Sequence, residues 1–110
     1  MITEYLDRSA ARFPNKVAFA DERREMTFAE LKNEAYHVAS ALCRRDGCFK
    51  KPVAIYMDKQ VESIAAMMGI AYSGNFYTVL DVHMPAARIE KILATLEPEV
   101  IITTDRKSVV

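Results

Sequence analysis

Residues Lys51 to Asp81 read KPVAIYMDKQVESIAAMMGIAYSGNFYTVLD, and this stretch decides the fold. The run Pro52-Val53-Ala54-Ile55-Tyr56-Met57 is short, apolar and β-branched at Val53 and Ile55, which predicts a buried strand. Asp58 follows as the expected N-cap of a helix over Lys59–Ser73, with Glu62 in its first turn, where the helix dipole favours negative charge. Gly74-Asn75 ends that helix, because both residues tolerate the left-handed conformation of a C-cap. Phe76-Tyr77-Thr78-Val79-Leu80 is a second strand. Strand, helix and strand in about 30 residues is the size of a βαβ unit, and such crossovers are almost always right-handed. A parallel sheet follows.

The helix inside this stretch is apolar nearly all round from Ile64 to Ala71, so burial on most sides is expected. Gly69 costs it about 1 kcal/mol of propensity relative to alanine, a loss that makes sense where another backbone comes close. The methionines there read as adaptable packing rather than as ligands.

Downstream, Val82-His83-Met84 reads as a loop and Pro85 as the first turn of a further helix with Ile89, Ile92, Leu93 and Leu96 on its apolar face. Pro98 breaks it, and Val100-Ile101-Ile102-Thr103 is a third buried strand. Upstream, Thr3 to Phe13 is helical, capped by Thr3, with Ile2, Leu6, Ala10 and Phe13 near one face and Pro14-Asn15 as its stop. Val17–Ala20 and Met26-Thr27 form a brief hairpin across the charged turn Asp21–Glu25, which lacks the glycine common in tight hairpins. Thr27-Phe28-Ala29-Glu30 has the capping-box pattern. It opens an amphipathic helix with Phe28, Leu31, Ala35, Val38 and Leu42 on one stripe, closed at Asp46-Gly47. The expected architecture is α/β: a small flavodoxin-like parallel β-α-β-α-β core, preceded by a helix and a short hairpin.

Bulk composition narrows the function. With 110 residues the chain suits a single domain over 1–110. Fifteen basic and fifteen acidic side chains cancel, so no positive surplus draws it to nucleic acid or to a membrane surface. No apolar run nears the roughly 20 residues of a membrane span, and the N-terminus lacks signal-peptide features, so the expectation is cytoplasmic. Cys43 and Cys48 are the only cysteines, too few for a four-cysteine zinc site, and read as reduced thiols. Asp81 stands just past a parallel strand, where open α/β sheets bind ligands, but its simpler reading is a turn-forming residue at a strand end. His83 in the next loop has no partner identifiable from sequence, and His37 reads as a boundary residue of the amphipathic helix. The serines lack the Gly-x-Ser-x-Gly setting of an esterase.

Three stretches then carry a family resemblance. Met26-Thr27-Phe28-Ala29-Glu30-Leu31 resembles the first core motif of adenylate-forming enzymes, the superfamily of acyl-CoA synthetases, luciferases and peptide-synthetase adenylation domains. Ala71-Tyr72-Ser73-Gly74-Asn75-Phe76-Tyr77-Thr78-Val79-Leu80-Asp81 resembles the second, and the loop to Pro85 with Arg88 resembles its continuation. Val79 and Val82 stand where the family commonly has proline, and Asn75 where it has a small residue. Tyr77 with Asp81 resembles the amino-acid-activating branch, which includes D-alanine-activating carrier-protein ligases.

The resemblance implies the N-terminal section of an ATP- and Mg2+-dependent ligase. Such an enzyme makes an acyl-adenylate and passes the acyl group to a phosphopantetheine thiol on a carrier protein or CoA. Three glycines, Gly47, Gly69 and Gly74, leave no phosphate-cradling loop. No residue is therefore assigned a catalytic, cofactor-binding or metal-binding role. The expected partners are the remainder of such an enzyme, its carrier, and a second copy of the chain through exposed apolar surface. The alternative is a stand-alone flavodoxin-like module that binds a small molecule or self-associates.

Overall fold

A computed structural model of the chain describes residues 2–58 and 60–103. Lys59 and the Asp105–Val110 tail lie outside the described residues. The elements are α1 (Ile2–Arg12), β1 (Val17–Ala20), β2 (Glu25–Thr27), α2 (Phe28–Cys43), β3 (Pro52–Tyr56), α3 (Val61–Tyr72), β4 (Phe76–Leu80), α4 (Ala86–Leu96) and β5 (Val100–Thr103). β1 and β2 pair antiparallel, while β4, β3 and β5 form a parallel sheet in that order. This is the α/β architecture that the periodicities predict.

The strand order fixes where the helices lie. The chain moves from β3 sideways to β4, then back across β3 to β5. Right-handed crossovers in opposite directions put α3 and α4 on opposite faces. On one face Val53, Ile55 and Val100 pack with Ala66 and Ile70 of α3 and Leu42 of α2. On the other, Ala54 and Leu80 are also buried. A second cluster joins Leu6 of α1, Met26 of the hairpin, Leu31 and Ala35 of α2, and Val61, Ala65 and Met68 of α3. Helix α3 belongs to both clusters, which explains why its sequence is apolar all round.

The local devices follow the sequence closely. Thr27 Oγ1 accepts from the Glu30 amide (3.2 Å) and Glu30 Oε1 accepts from the Thr27 amide (2.9 Å), the reciprocal capping box. At the far end of α3, the Asn75 amide donates to Ile70 O and the Gly74 amide to Ala71 O, with Gly74 at φ 80°. That is a Schellman ending, and it needs the glycine. The Asn75 side chain is buried and fully used. Its Oδ1 accepts from the Lys51 amide, and its Nδ2 donates to Cys48 O and Ser73 Oγ, tying the start of β3 to the start of β4.

Several expectations are corrected. Thr3 does not cap α1, which begins at Ile2. Only Leu6 of the expected α1 face is fully buried, because Ile2 and Phe13 face water, Phe13 with the Arg12 and Lys16 cations near its ring. α2 ends at Cys43, and Gly47 instead serves the turn from Arg45 to Cys48. No residue of α4 is fully buried; Ile89, Ile92, Leu93 and Leu96 are half-buried. Cys43 is exposed and Cys48 buried, both as free thiols.

Two substitutions test this packing. A Cβ at Gly69 would lie 2.5 Å from Val38 Cβ and 2.7 Å from Ala35 O, neither of which can swing aside. Gly69→Ala therefore lowers the urea midpoint, because overpacking of about 1–3 kcal/mol exceeds the helix-propensity gain of about 1 kcal/mol. Asn75→Ala strands the Lys51 amide and Cys48 carbonyl and costs about 1–3 kcal/mol in the same denaturation.

Candidate functional site

The carboxyl ends of β3 and β4 open into a cleft of about 870 Å³, bounded by Met57 and Asp58 after β3, by Val79, Asp81 and His83 at the end of β4, and by the hairpin turn. Its size falls within the range of small-molecule sites, and its position is where open parallel sheets place ligands. A second cleft of about 470 Å³ lies beside it, shares Arg23, Met57 and Gln60, and includes His37 and Thr103.

The hairpin turn is what gives this end of the sheet its character. Asp21 Oδ1 accepts from the Arg23 and Arg24 amides (2.8 and 2.9 Å), which shapes the turn without glycine. Its Oδ2 accepts from the Val61 amide at 2.8 Å, across 40 residues of sequence. The N-terminus of α3 is thus satisfied by a carboxylate from the hairpin, and Asp58, the expected N-cap, does not serve. Gln60 holds the cap position, and its amide donates to Ser63 Oγ. The turn's arginines complete the dock: Arg24 reaches Glu62 of α3 at 3.2 Å and Glu34 of α2 at 3.4 Å, and Arg23 donates to Gln60 Oε1 at 2.7 Å.

Asp58 has another partner. His83 Nε2 lies 3.2 Å from Asp58 Oδ1, which supplies the carboxylate that the sequence did not reveal. Both groups are largely exposed, so water screens the pair and it contributes little stability. Asp81 is a turn residue: its Oδ1 accepts from the His83 amide and its carbonyl from the Met84 amide. His37 is exposed on α2.

These residues present an imidazole and two carboxylates beside the apolar Met57 and Val79. The Val61 amide at the positive end of α3 already holds the Asp21 carboxylate, so that helix end is not open to an external anion. Among the described residues, no three His, Cys, Asp or Glu side chains gather as a group that could hold a metal ion. Among the described residues, no helix is long and apolar enough to cross a membrane.

The amides of Val61, Arg24 and Arg23 hold the Asp21 carboxyl below its ordinary value of 3.8. A depressed value means that Asp21 stabilises the fold fully above pH 3.8, and that this contribution is lost as pH falls through the lower, folded value. The urea midpoint should therefore drop on acidification below pH 3.8, and the drop should be smaller in Asp21→Asn.

Over residues 6–110 the chain matches the family of AMP-binding enzymes. It is 29% identical over 102 residues to tyrocidine synthase 1 of Brevibacillus parabrevis, covering 93% of this chain and 9% of that protein. The solved nonribosomal peptide synthetase FmoA3 superposes with a TM-score of 0.89 at 26% identity, covering 96% of this chain and 11% of that one. The anthranilate CoA ligase AuaEII, in complex with anthranoyl-AMP, gives a TM-score of 0.85 at 27% identity, covering 92% of this chain and 20% of that one. The chain spans only a small part of the length of each. By its fold, its two motifs and this match, the chain belongs to the AMP-binding enzyme family.

Proposed function

We propose that this chain is the N-terminal structural section of an ATP-dependent adenylate-forming ligase, and that by itself it does not catalyse. The ligase activates a carboxylic acid, an amino acid in this reading, as an acyl-adenylate with release of pyrophosphate. It then transfers the acyl group to a phosphopantetheine thiol on a carrier protein or CoA. The family match over residues 6–110 supports the reaction class. The preference for an amino acid rests on Tyr77 and Asp81 and on the similarity to peptide synthetases.

The observation that carries the inactive role is the filled N-terminus of α3. Its Val61 amide is bonded to Asp21, which supports a reading in which ATP and Mg2+ are held by other residues of such a ligase. What the section contributes is a rigid support: two packed helices, a parallel sheet, and a hairpin locked onto both. The exposed apolar side chains, among them Phe76, Tyr77 and Val79, support a further part of this reading, that the chain self-associates.

The cleft at the strand ends favours one rival, a stand-alone module that binds a small molecule there. Calorimetric titration of the 110-residue chain with ATP and Mg2+ separates the two. The expected result is no saturable heat at millimolar nucleotide, and no ATP–pyrophosphate exchange with any amino acid. Saturable micromolar binding would overturn the supporting role and favour the module.

A further inference from the structure

Among the described residues β4 is an edge strand of the sheet, and its own sequence leaves that edge undefended. Its five residues, Phe76 to Leu80, contain no proline, charge or bulge, the devices that normally blunt an edge. Phe76, Tyr77 and Val79 are 60%, 43% and 46% exposed. The backbone direction is also defined. The Phe76 amide donates to Lys51 O beside β3 (2.9 Å), so by strand alternation the amides of Thr78 and Leu80 also face β3. The amides and carbonyls of Tyr77 and Val79 face outward.

We propose that β4 pairs antiparallel with β4 of a second copy about a two-fold axis at Thr78, joining two three-stranded sheets into one. The inference rests on the self-association reading and names its surface. Three observations select a second copy as the occupant. First, the parity is right: an axis at Thr78 sets Tyr77 opposite Val79 of the other copy. Both are outward-facing, so each side of the axis gains a reciprocal pair of N–H···O=C bonds. Second, the side chains match. Tyr77 meets Val79, an aromatic against a β-branched residue, which is a favourable cross-strand pair, and both are exposed in the single chain.

Third, the charges complement. At the N-terminal end of the β3–β4 pair, exposed Lys50 and Lys51 precede β3, and at the C-terminal end exposed Asp58 follows β3 and exposed Asp81 follows β4. Because β3 and β4 run parallel with Pro52 beside Phe76 and Tyr56 beside Leu80, these charges sit at opposite ends. Antiparallel pairing brings the lysine end of each copy to the aspartate end of the other, twice over. Asp81 falls opposite Asn75, so no like charges meet directly. An isologous contact of this kind closes at two copies and does not propagate along β4.

The test begins with light scattering of the 110-residue chain across a concentration series, read with amide hydrogen exchange. The expected result is twice the 12.5 kDa single-chain mass, with protection of the Tyr77 and Val79 amides that rises with concentration. The double variant Tyr77→Lys/Val79→Lys should lose the dimer while keeping its circular dichroism, because lysine then opposes lysine on both sides of the axis. Tyr77→Glu/Val79→Glu should do the same, and mixing the two should restore the doubled mass as a heterodimer. A wild-type chain that stays at single-chain mass would overturn both this inference and self-association. A doubled mass with unprotected Tyr77 and Val79 amides would overturn this edge alone. Charge variants that remain dimeric, or that fail to recombine, would overturn the register, and the wild-type exchange pattern decides even if the variants do not fold.

Discussion

The approach of α3 to α2 at Gly69 is the constraint on which the rest of the structure depends. A helix that serves two hydrophobic clusters must press against a second helix on one side and a sheet on the other. With Val38 Cβ and Ala35 O already at contact distance from where a side chain would begin, only glycine permits that spacing. Widening it would separate Ala65 and Met68 from Leu31 and Ala35, and the same displacement would loosen Ala66 and Ile70 over Val53 and Ile55. Close packing transmits such a shift rather than absorbing it. The intrinsic helix penalty of a glycine is small beside the apolar area that its absence of a side chain lets the chain bury.

Around this helix pair, polar groups are placed where they connect elements. Tyr72 on α3 donates to Asp7 on α1 at 2.6 Å, and Lys32 of α2 reaches the same carboxylate at 3.3 Å. The Tyr72 hydrogen bond holds Asp7 below the usual carboxylate range, while burial first and then Asp7 push the Tyr72 phenol upward. Both shifts favour the same arrangement, a phenol that keeps its proton and donates it to an ionised acceptor. Asp21 does for the hairpin what Asp7 does for α1. In each case one carboxylate fastens a peripheral element to α3, and the element so fastened covers an end of the second cluster.

How much of this could be read in advance depended on sequence separation. The capping box at Thr27 and Glu30, the Schellman ending at Gly74 and Asn75, and the alternation of helix and strand were legible because each is written within a few residues. The crowding at Gly69 was legible as the close approach of another element, though not as a contact with Val38 and Ala35. The departures came from pairs that only the tertiary fold brings together. Asp58 and Asp21 carry the same cap chemistry, and local sequence favoured Asp58 because it sits beside the helix. The fold instead swings the hairpin over α3, so Asp21 arrives from 40 residues away and Asp58 is left to His83. Nothing in the turn's composition pointed to α3, and the missing glycine spoke against the hairpin, whose turn Asp21 shapes instead.

The same arrangement bears on what this section can do within its family. A parallel sheet generates a ligand site at its strand ends when helix N-termini there are left with unsatisfied amides and local positive potential. In this chain the amide of Val61 is bonded to Asp21, and Glu62 behind it is matched to Arg23 and Arg24. The end of α3 is therefore neutralised and committed to the hairpin dock, beside an open cleft. A ligand at that helix end meets the chain's own carboxylate. It would have to break the hairpin dock before the end of α3 could accept an anion, and the dock is made of several bonds that would have to be lost together.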